Sequence, residues 1–270
     1  STPSWPKGAS RSKTMSSQSE PCAVLTAAGS GSRLGCECPK ALVELSGRPL
    51  VWWAARGLRA GGVGPIVVTA PASSIEEFRR ALAEIDDISV VSGSDRSRQE
   101  SVALGLAALG ERNAATIVLV HDAARPLTPS QVTARVIDAV RGGAGAVIPV
   151  LPVNDTLKTV SPSGAVTGTP RRSNMVAVQT PQGFRWEVLM RAHEAGASLG
   201  AKEATSATDD AGLVEAIGAA VQTVAGDERS LKVTRPLDLA LAQLLAAEEM
   251  SASSASARSR GEGSDRLRAP

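Results

Sequence analysis

The sequence has few aromatic residues and few cysteines, and these shortages exclude several classes of protein. Its 270 residues include four tryptophans, two phenylalanines and no tyrosine. Single-strand nucleic-acid binders stack bases on aromatic side chains, and such platforms are missing here. Three cysteines are too few for a disulfide framework in a chain of this length. Cys36 and Cys38 lack the further ligands that a zinc site needs. A reduced, cytoplasmic setting is therefore expected.

Long apolar runs are also absent, and the charges nearly balance. No stretch approaches the roughly 18 apolar residues that predict a membrane span, and no signal peptide is predicted. The formal net charge of +2 is far from the cationic surface that nucleic-acid binding requires. Neither nucleic acid nor a membrane is therefore an expected partner. Residues 1–20 and 251–270 are rich in serine and predicted to be disordered, which leaves 21–250 as one domain.

Apolar runs of strand length alternate with helical patterns through the first half of the chain. The predicted strands lie at 23–28, 65–70, 88–91, 116–120 and 144–150, with helices between them at 49–60, 75–85, 98–109 and 129–141. Continuous hydrophobicity at strand length indicates burial on both faces, as in a parallel sheet. The alternation implies right-handed crossovers. The fold class predicted is α/β, with a doubly wound, mostly parallel, Rossmann-like sheet.

A predicted β-hairpin then interrupts this alternation. Its strands lie at 153–160 and 165–169, joined by a turn at 161–164. An isolated hairpin is too short to be stable alone. We therefore expect an arm, at about 152–172, that packs against a partner subunit. Further strands are predicted at 176–179 and 221–224, and helices at 186–195, 209–217 and from 236 to about 248.

A glycine-rich segment from Ala27 to Gly35 follows the first predicted strand. Glycines let backbone N–H groups approach phosphate oxygens, and ligands bind at the carboxyl ends of strands in such sheets. Arg33 and Lys40 suit a triphosphate whose charge grows during transfer. The alternative is a dinucleotide-binding loop. It is disfavoured because the third glycine comes one residue late and no acid follows the second strand to hold a ribose.

Six segments in order carry a resemblance to a known family. They are 25–40, 121–126, 152–158, 179–184, 208–210 and 232–236, with the sequences LTAAGSGSRLG…PK, HDAARP, PVNDTLK, QTPQGF, TDD and KVTRP. Together they resemble the 2-C-methyl-D-erythritol 4-phosphate cytidylyltransferases of the non-mevalonate isoprenoid pathway. The resemblance implies a nucleotidyltransferase fold with a protruding β-hairpin arm. It also implies cytidylyl transfer from CTP to a polyol phosphate, a requirement for Mg²⁺ or another divalent cation, and a homodimer formed through the arm.

The resemblance also assigns roles to individual residues. The catalytic residues it implies are Arg33, Lys40 and Lys232. The residues it implies for CTP binding are Ala27, Ala28, Gly29, Gly31, Gly93, Asp95, Arg98 and Ser101. Those implied for the polyol phosphate are Asp122 and Arg125, together with Thr156, Arg172 and Thr208 acting in the partner's site. No protein ligand to the metal is implied.

Several alternatives remain open from the sequence. The loop at 92–100 is a residue or two longer than the family pattern, which leaves the register of Asp95 and Arg96 open. The acceptor could instead be ribitol 5-phosphate, or the chain could be a catalytically silent nucleotide-binding protein. Arg33 and Lys40 argue against a silent protein, since a binder has less need of cations at the reacting phosphorus. His121 is predicted to be structural, and no partner for His193 can be named.

Overall fold

The computed structural model describes residues 20–29, 38–198 and 208–265. The strands, in chain order, are β1 (Cys22–Thr26), β2 (Glu44–Leu45), β3 (Arg48–Pro49), β4 (Ile66–Ala70), β5 (Ile88–Ser92), β6 (Ile117–Asp122), β7 (Ala146–Pro152), β8 (Thr159–Val160), β9 (Val166–Gly168), β10 (Val176–Val178), β11 (Gln182–Arg185) and β12 (Val221–Ala225). The α-helices are α1 (Leu50–Ala60), α2 (Ile75–Leu82), α3 (Arg98–Leu109), α4 (Ser130–Arg141), α5 (Trp186–Ser198), α6 (Asp210–Ala216) and α7 (Pro236–Asp265).

Buried parallel strands form the centre of the main sheet, as the sequence predicts. β1 pairs in parallel with β4 on one side and β6 on the other, and β4 pairs in parallel with β5. Every residue of β4 and β6 is buried. Strands buried on both faces need apolar side chains at consecutive positions, which is the pattern of Ile66–Ala70 and Ile117–Asp122. The α/β, mostly parallel fold class is confirmed.

The other half of the main sheet contains two antiparallel strands, of which β10 was predicted as a strand at 176–179 and β11 was not predicted. β11 lies between β6 and β7 and is antiparallel to both. β10 pairs antiparallel with the end of β7, while β12 pairs with β7 in parallel. β11 is only four residues long, with a near-continuously buried pattern and no alternation. Such a segment gives no period-two signal, so the sequence analysis did not predict it.

Helices cover both faces of the sheet. On one face the core includes buried side chains of α1, α2 and α4. On the other face it includes side chains of α3, α5 and α6. Because both faces are covered, the carboxyl ends of the parallel strands are the place where a ligand can reach the sheet.

The predicted arm is present as a small hairpin outside the main sheet. β8 pairs antiparallel with β9, in strands shorter than predicted. Val160 and Val166 are each 61% exposed, so the hairpin has no core of its own. β2 and β3 form a second two-stranded sheet.

The last helix is longer than the sequence predicts. It continues to Asp265, although disorder is predicted from residue 251 and the helix end near 248. Extending an existing helix costs little once it has nucleated, and the alanines beyond 250 favour it. The predicted N-terminal tail lies outside the described residues, apart from Glu20. Within the described ranges, no helix combines the length and apolarity that crossing a bilayer requires.

Candidate active site

A cavity of about 490 Å³ opens at the carboxyl ends of β1 and β6. Its lining includes the end of β1, the start of the glycine-rich segment and the loop that precedes α3. The lining residues are Thr26, Ala27, Ala28, Gly29, Lys40, Ala41, Ser94, Asp95, Ser97, Arg98, Ser101, Asp122, Ala123, Ala124 and Lys232. The cavity is therefore where an open α/β sheet is expected to bind a ligand.

Asp122 is the centre of a charged cluster in this cavity. Nε of Arg98 donates to Oδ1 of Asp122 at 3.0 Å, and Nζ of Lys232 donates to Oδ2 at 2.8 Å. The side chain of Asp122 is 10% exposed, whereas that of Lys232 is 43% exposed. Burial alone would raise the pKa of Asp122, but the charges of Arg98 and Lys232 hold it well below its usual range. Asp122 is thus a carboxylate, and Lys232 retains access to the cavity.

The side chain of Thr180 fixes the backbone of Asp122 and also contacts the ring of His121. The Asp122 N–H donates to Oγ1 of Thr180 at 3.1 Å, and the same oxygen lies 2.8 Å from Nδ1 of His121. Burial lowers the pKa of His121 to about 4, with the nearby Arg125 charge acting in the same direction. The ring is therefore neutral at pH 7, and its Nδ1 shares a hydrogen bond with the Thr180 hydroxyl. His121 is structural, as predicted.

The loop after β5 packs closely against the loop after β1 beside the cavity. The Ala27 N–H donates to the Thr69 carbonyl at 2.9 Å, and the Gly93 N–H donates to the Ala70 carbonyl at 2.8 Å. A Cβ added at Gly93 would lie 2.9 Å from Cβ of Ala28 and 3.2 Å from Oγ of Ser101. Glycine at position 93 therefore permits a close approach between the loop after β5 and the loop after β1.

Hydrogen bonds to serine side chains fix the loop that precedes α3. Ser97 caps the helix, since its Oγ accepts from the Glu100 N–H at 3.0 Å. Oγ of Ser101 accepts from the Ser94 N–H at 3.0 Å and lies 3.1 Å from the Ser94 carbonyl oxygen. Asp95 lines the cavity, whereas Arg96 pairs with Glu100 in an exposed ion pair. The structure therefore places Asp95, and not Arg96, at the cavity.

The chain matches a known protein family over most of its length. A sequence profile of the 2-C-methyl-D-erythritol 4-phosphate cytidylyltransferases matches residues 21–248. The chain belongs to this cytidylyltransferase family. It is therefore an enzyme, a nucleotidyltransferase.

Individual members of the family are similar over most of the chain. The Rhodococcus jostii cytidylyltransferase is 48% identical over 227 residues, covering 84% of this chain and 95% of that protein. The Streptomyces avermitilis cytidylyltransferase is 47% identical over 237 residues, covering 83% and 91%. The solved Thermus thermophilus cytidylyltransferase is 34% identical with a TM-score of 0.67, covering 84% of this chain and 98% of that one.

Most residues that family resemblance singles out meet in the cavity. Those that line it are Ala27, Ala28, Gly29, Lys40, Asp95, Arg98, Ser101, Asp122 and Lys232. Gly93 lies directly behind Ala28 and Ser101. Gly31 and Arg33 lie outside the described residues.

Besides Gly93, four of the expected residues in the described ranges do not line the cavity. Nη1 and Nη2 of Arg125 donate to the carbonyls of Ser230 and Val178, at 2.6 and 3.2 Å. The resemblance implies that Arg125 faces the polyol phosphate; here its guanidinium joins the end of β10 to the segment that contains Ser230. The other three, Thr156, Arg172 and Thr208, are exposed and belong to no wall of this cavity.

Asp210 and His193 are the residues near the site that sequence reasoning missed. Nη1 of Arg98 lies 2.6 Å from Oδ2 of Asp210, and Nε2 of His193 lies 3.0 Å from Oδ1. The structure thus supplies the partner of His193 that could not be named from the sequence. The only available signal was the position of Asp210 in the TDD segment, where it also fits the first turn of a helix.

Proposed function

We propose that this enzyme transfers a cytidylyl group from CTP to 2-C-methyl-D-erythritol 4-phosphate, forming 4-diphosphocytidyl-2-C-methyl-D-erythritol and pyrophosphate. The observation that carries the proposal is the cluster of Arg98, Asp122 and Lys232, in the same cavity as Gly29 and Lys40. The cluster combines two cations with one ionised carboxylate. This arrangement suits an acceptor with a phosphate at one end and hydroxyls at the other.

The chemistry proposed is a direct in-line displacement. A phosphate oxygen of the acceptor forms a bond to the α-phosphorus of CTP as the bond from that phosphorus to the β-phosphate bridging oxygen breaks. Pyrophosphate leaves with the bonding electrons. The attacking phosphate is already ionised at neutral pH, so no general base is required. Catalysis then depends on positioning and on neutralising two anionic reactants.

Each wall of the cavity has a part in this proposal. The backbone from Ala27 to Gly29 would hold the CTP phosphates, with Gly31 completing that loop. Lys40 and Arg33 would stabilise charge at the α-phosphate. The loop from Gly93 to Ser101 would contact the cytosine ring, with Asp95 and Ser101 on the cavity wall. This assignment follows the family resemblance, and the packing of Gly93 against Ala28 sets the position of that wall.

The acceptor side is centred on Asp122. Its carboxylate would accept from polyol hydroxyl groups, while Lys232 would meet the acceptor phosphate. Arg125 would act indirectly in this proposal, because its bonds to Ser230 and Val178 hold the loop that follows Asp122. This role replaces the direct contact that the resemblance implies.

A divalent cation such as Mg²⁺ fits the donor set of this cavity. In the described ranges, 20–29, 38–198 and 208–265, no group of three or more His, Cys, Asp and Glu side chains is arranged to hold a metal. Two carboxylates, Asp95 and Asp122, line the cavity. Mg²⁺ commonly takes one or two carboxylates, keeps several waters and binds substrate phosphates. When bound, it would neutralise charge on the phosphates of CTP.

We also propose that the enzyme is a homodimer whose arm completes the partner's site. Thr156, Arg172 and Thr208 are exposed and do not line the cavity of their own chain. Nη1 of Arg172 donates to the Asn154 carbonyl at 2.6 Å, which ties the two ends of the arm together. The exposed valines of the hairpin would gain a packing surface in such a dimer. With phosphorylated metabolites as substrates, we place the reaction in the cytoplasm.

The decisive experiment is a nucleotide and acceptor screen that measures pyrophosphate release in the presence of Mg²⁺. CTP with 2-C-methyl-D-erythritol 4-phosphate should give the highest kcat/KM, and ATP should give little release. Higher kcat/KM with ribitol 5-phosphate would overturn the acceptor assignment. CTP binding without pyrophosphate release from any acceptor would overturn the proposed reaction.

A further inference from the structure

Asp210 is a buried carboxylate that lies behind the cavity and does not line it. Its side chain is 1% exposed. Oδ2 accepts from Nη1 of Arg98 at 2.6 Å, and Oδ1 accepts from Nε2 of His193 at 3.0 Å. Burial alone would raise the pKa of Asp210, but the hydrogen bond from His193 and the charge of Arg98 lower it. Asp210 is therefore ionised, and Nε2 of His193 carries the hydrogen.

Arg98 is held between two carboxylates with different surroundings. Its Nε binds Asp122, which faces the cavity, while its Nη1 binds Asp210, which does not. The substrates are polyanions, and an arginine in their cavity is attracted to their phosphates. The bond to Asp210 opposes that attraction because it fixes the guanidinium from behind. Arg98 then stays aligned with Asp122 while substrates bind.

Asp210 is anchored to the main sheet through its neighbours. It is the first residue of α6, and Asp209 caps that helix by accepting from the Gly212 N–H at 2.9 Å. Gln182, which is fully buried in β11, donates from Nε2 to Asp209 at 2.6 Å and accepts from the Ala211 N–H at 3.1 Å. β11 pairs with β6, the strand that ends at Asp122. The two carboxylates that hold Arg98 therefore share one rigid support.

We propose that Asp210 is a positioning residue for cytidylyl transfer, which acts by holding the Arg98 guanidinium against Asp122 and away from the CTP phosphates. The inference rests on the proposed function for its catalytic consequence. In this proposal Asp210 does not contact the substrate. His193 supports the same carboxylate from the opposite side, since its Nε2 occupies the oxygen that Arg98 leaves open.

The first test compares Asp210→Asn with Glu215→Gln. Asp210→Asn keeps the shape of the side chain but removes the charge that holds Arg98. It should lower kcat by about 10–100-fold, as small misplacements of catalytic groups do, with KM for CTP unchanged or lower. Glu215→Gln removes a charge from an exposed position of the same helix. It should keep kcat within about 3-fold of the parent, because Glu215 makes no hydrogen bond or ion pair with Arg98 or Asp210. Equal kcat losses in the two variants would overturn the proposal.

The second test asks whether Asp210 acts through Arg98. Arg98→Met leaves a buried carboxylate without its cation, so the melting temperature should fall markedly. Adding Asp210→Asn to Arg98→Met should recover part of that fall and cause no further loss of kcat. Losses that simply multiply would contradict the proposal. Because the melting temperature does not depend on catalysis, this coupling can be measured even if the screen shows that the proposed reaction is wrong.

Discussion

The charged cluster around Asp122 and the hairpin arm differ in how completely one chain can build them. The cluster joins β6, α3 and the segment before α7 through hydrogen bonds of 2.8–3.0 Å, and its central carboxylate is almost buried. The arm has two strands of two and three residues, with both valines 61% exposed. All residues of the charged cluster come from one chain, whereas the arm leaves apolar side chains exposed that could pack against another surface.

This difference teaches which features of the site depend on assembly. Although Asp122 is buried, the charges of Arg98 and Lys232 keep its carboxylate ionised near pH 7. The arm has no such core, so its residues can be ordered around a substrate only if another surface supports them. In our proposal, the nucleotide-binding and acid–cation parts of the site come from one chain, and the arm contributes to the site of its partner in a dimer. The following variants test that division.

Removing the charge of Asp122 should have the largest effect. Asp122→Asn leaves Lys232 without its carboxylate and weakens the hold on Arg98. We expect kcat to fall by about 10²–10³-fold, the range seen when one preorganised electrostatic contact is lost from an active site. Steady-state kinetics with CTP and the methylerythritol acceptor check this. A kcat within a few-fold of the parent would place the acceptor elsewhere.

Removing an arm arginine should weaken binding of the acceptor and leave binding of CTP unchanged. Arg172→Ala should raise KM for the acceptor by about 10–100-fold, the value of a lost charge-assisted contact, with KM for CTP unchanged. Arg171→Ala is the matched control, since it removes an equal charge from the adjacent exposed position. An equal rise in KM for the acceptor in both variants would mean that the positive charge of the arm matters, and that Arg172 makes no specific contact.

Adding one carbon where the loop after β5 meets the loop after β1 should have a smaller effect. A Cβ at Gly93 would lie 2.9 Å from Cβ of Ala28, so Gly93→Ala must push the two loops apart and displace the wall formed by Asp95 and Ser101. KM for CTP should rise by about 10-fold, as overpacking costs of this size predict, with little change in kcat. Gly145→Ala is the control, because a Cβ there would lie an ordinary 3.5 Å from Val188. Unchanged nucleotide binding in Gly93→Ala would contradict the placement of the base against this wall.

The smallest effect on activity is expected at His121, which should instead affect stability in acid. His121 is buried with a pKa of about 4 in the folded chain, against about 6.5 when unfolded. The unfolded chain thus binds more protons between these values, so folding stability falls as pH drops from 6.5 to 4, by at most about 3 kcal/mol. His121→Asn should flatten this part of the profile, as measured by urea unfolding at pH 7, 6 and 5. An unchanged slope would mean that His121 is not the group responsible.

Much of this arrangement could be predicted from the sequence, because parallel strands and their carboxyl ends have local signals. The apolar runs of β1, β4 and β6 predicted the centre of the sheet. Gly29, just after β1, and Asp122, the last residue of β6, both line the cavity. The exposed hairpin was predicted from its turn and its alternation.

What could not be predicted depends on the directions of long side chains and on distant partners. Arg125 turns to carbonyls 105 and 53 residues away in sequence, and no local pattern encodes that choice. Arg98 reaches Asp210 across 112 residues, through the packing of α3 and α6 on one face of the sheet. β11 escaped prediction because four buried residues have no periodicity.

The most direct test of the division between cluster and arm is complementation between two variants, assayed at an acceptor concentration far below KM so that each alone is nearly inactive. One variant would be Lys40→Ala, which damages the cavity, and the other Arg172→Ala, which damages the arm. In a two-fold dimer with shared sites, random mixing should restore about a quarter of parent activity, because half of the dimers are mixed and each has one intact site. Sedimentation velocity on the same samples would establish the dimer. Activity of the mixture equal to the average of the separate variants would show that each arm serves its own cavity or none, and would contradict the account.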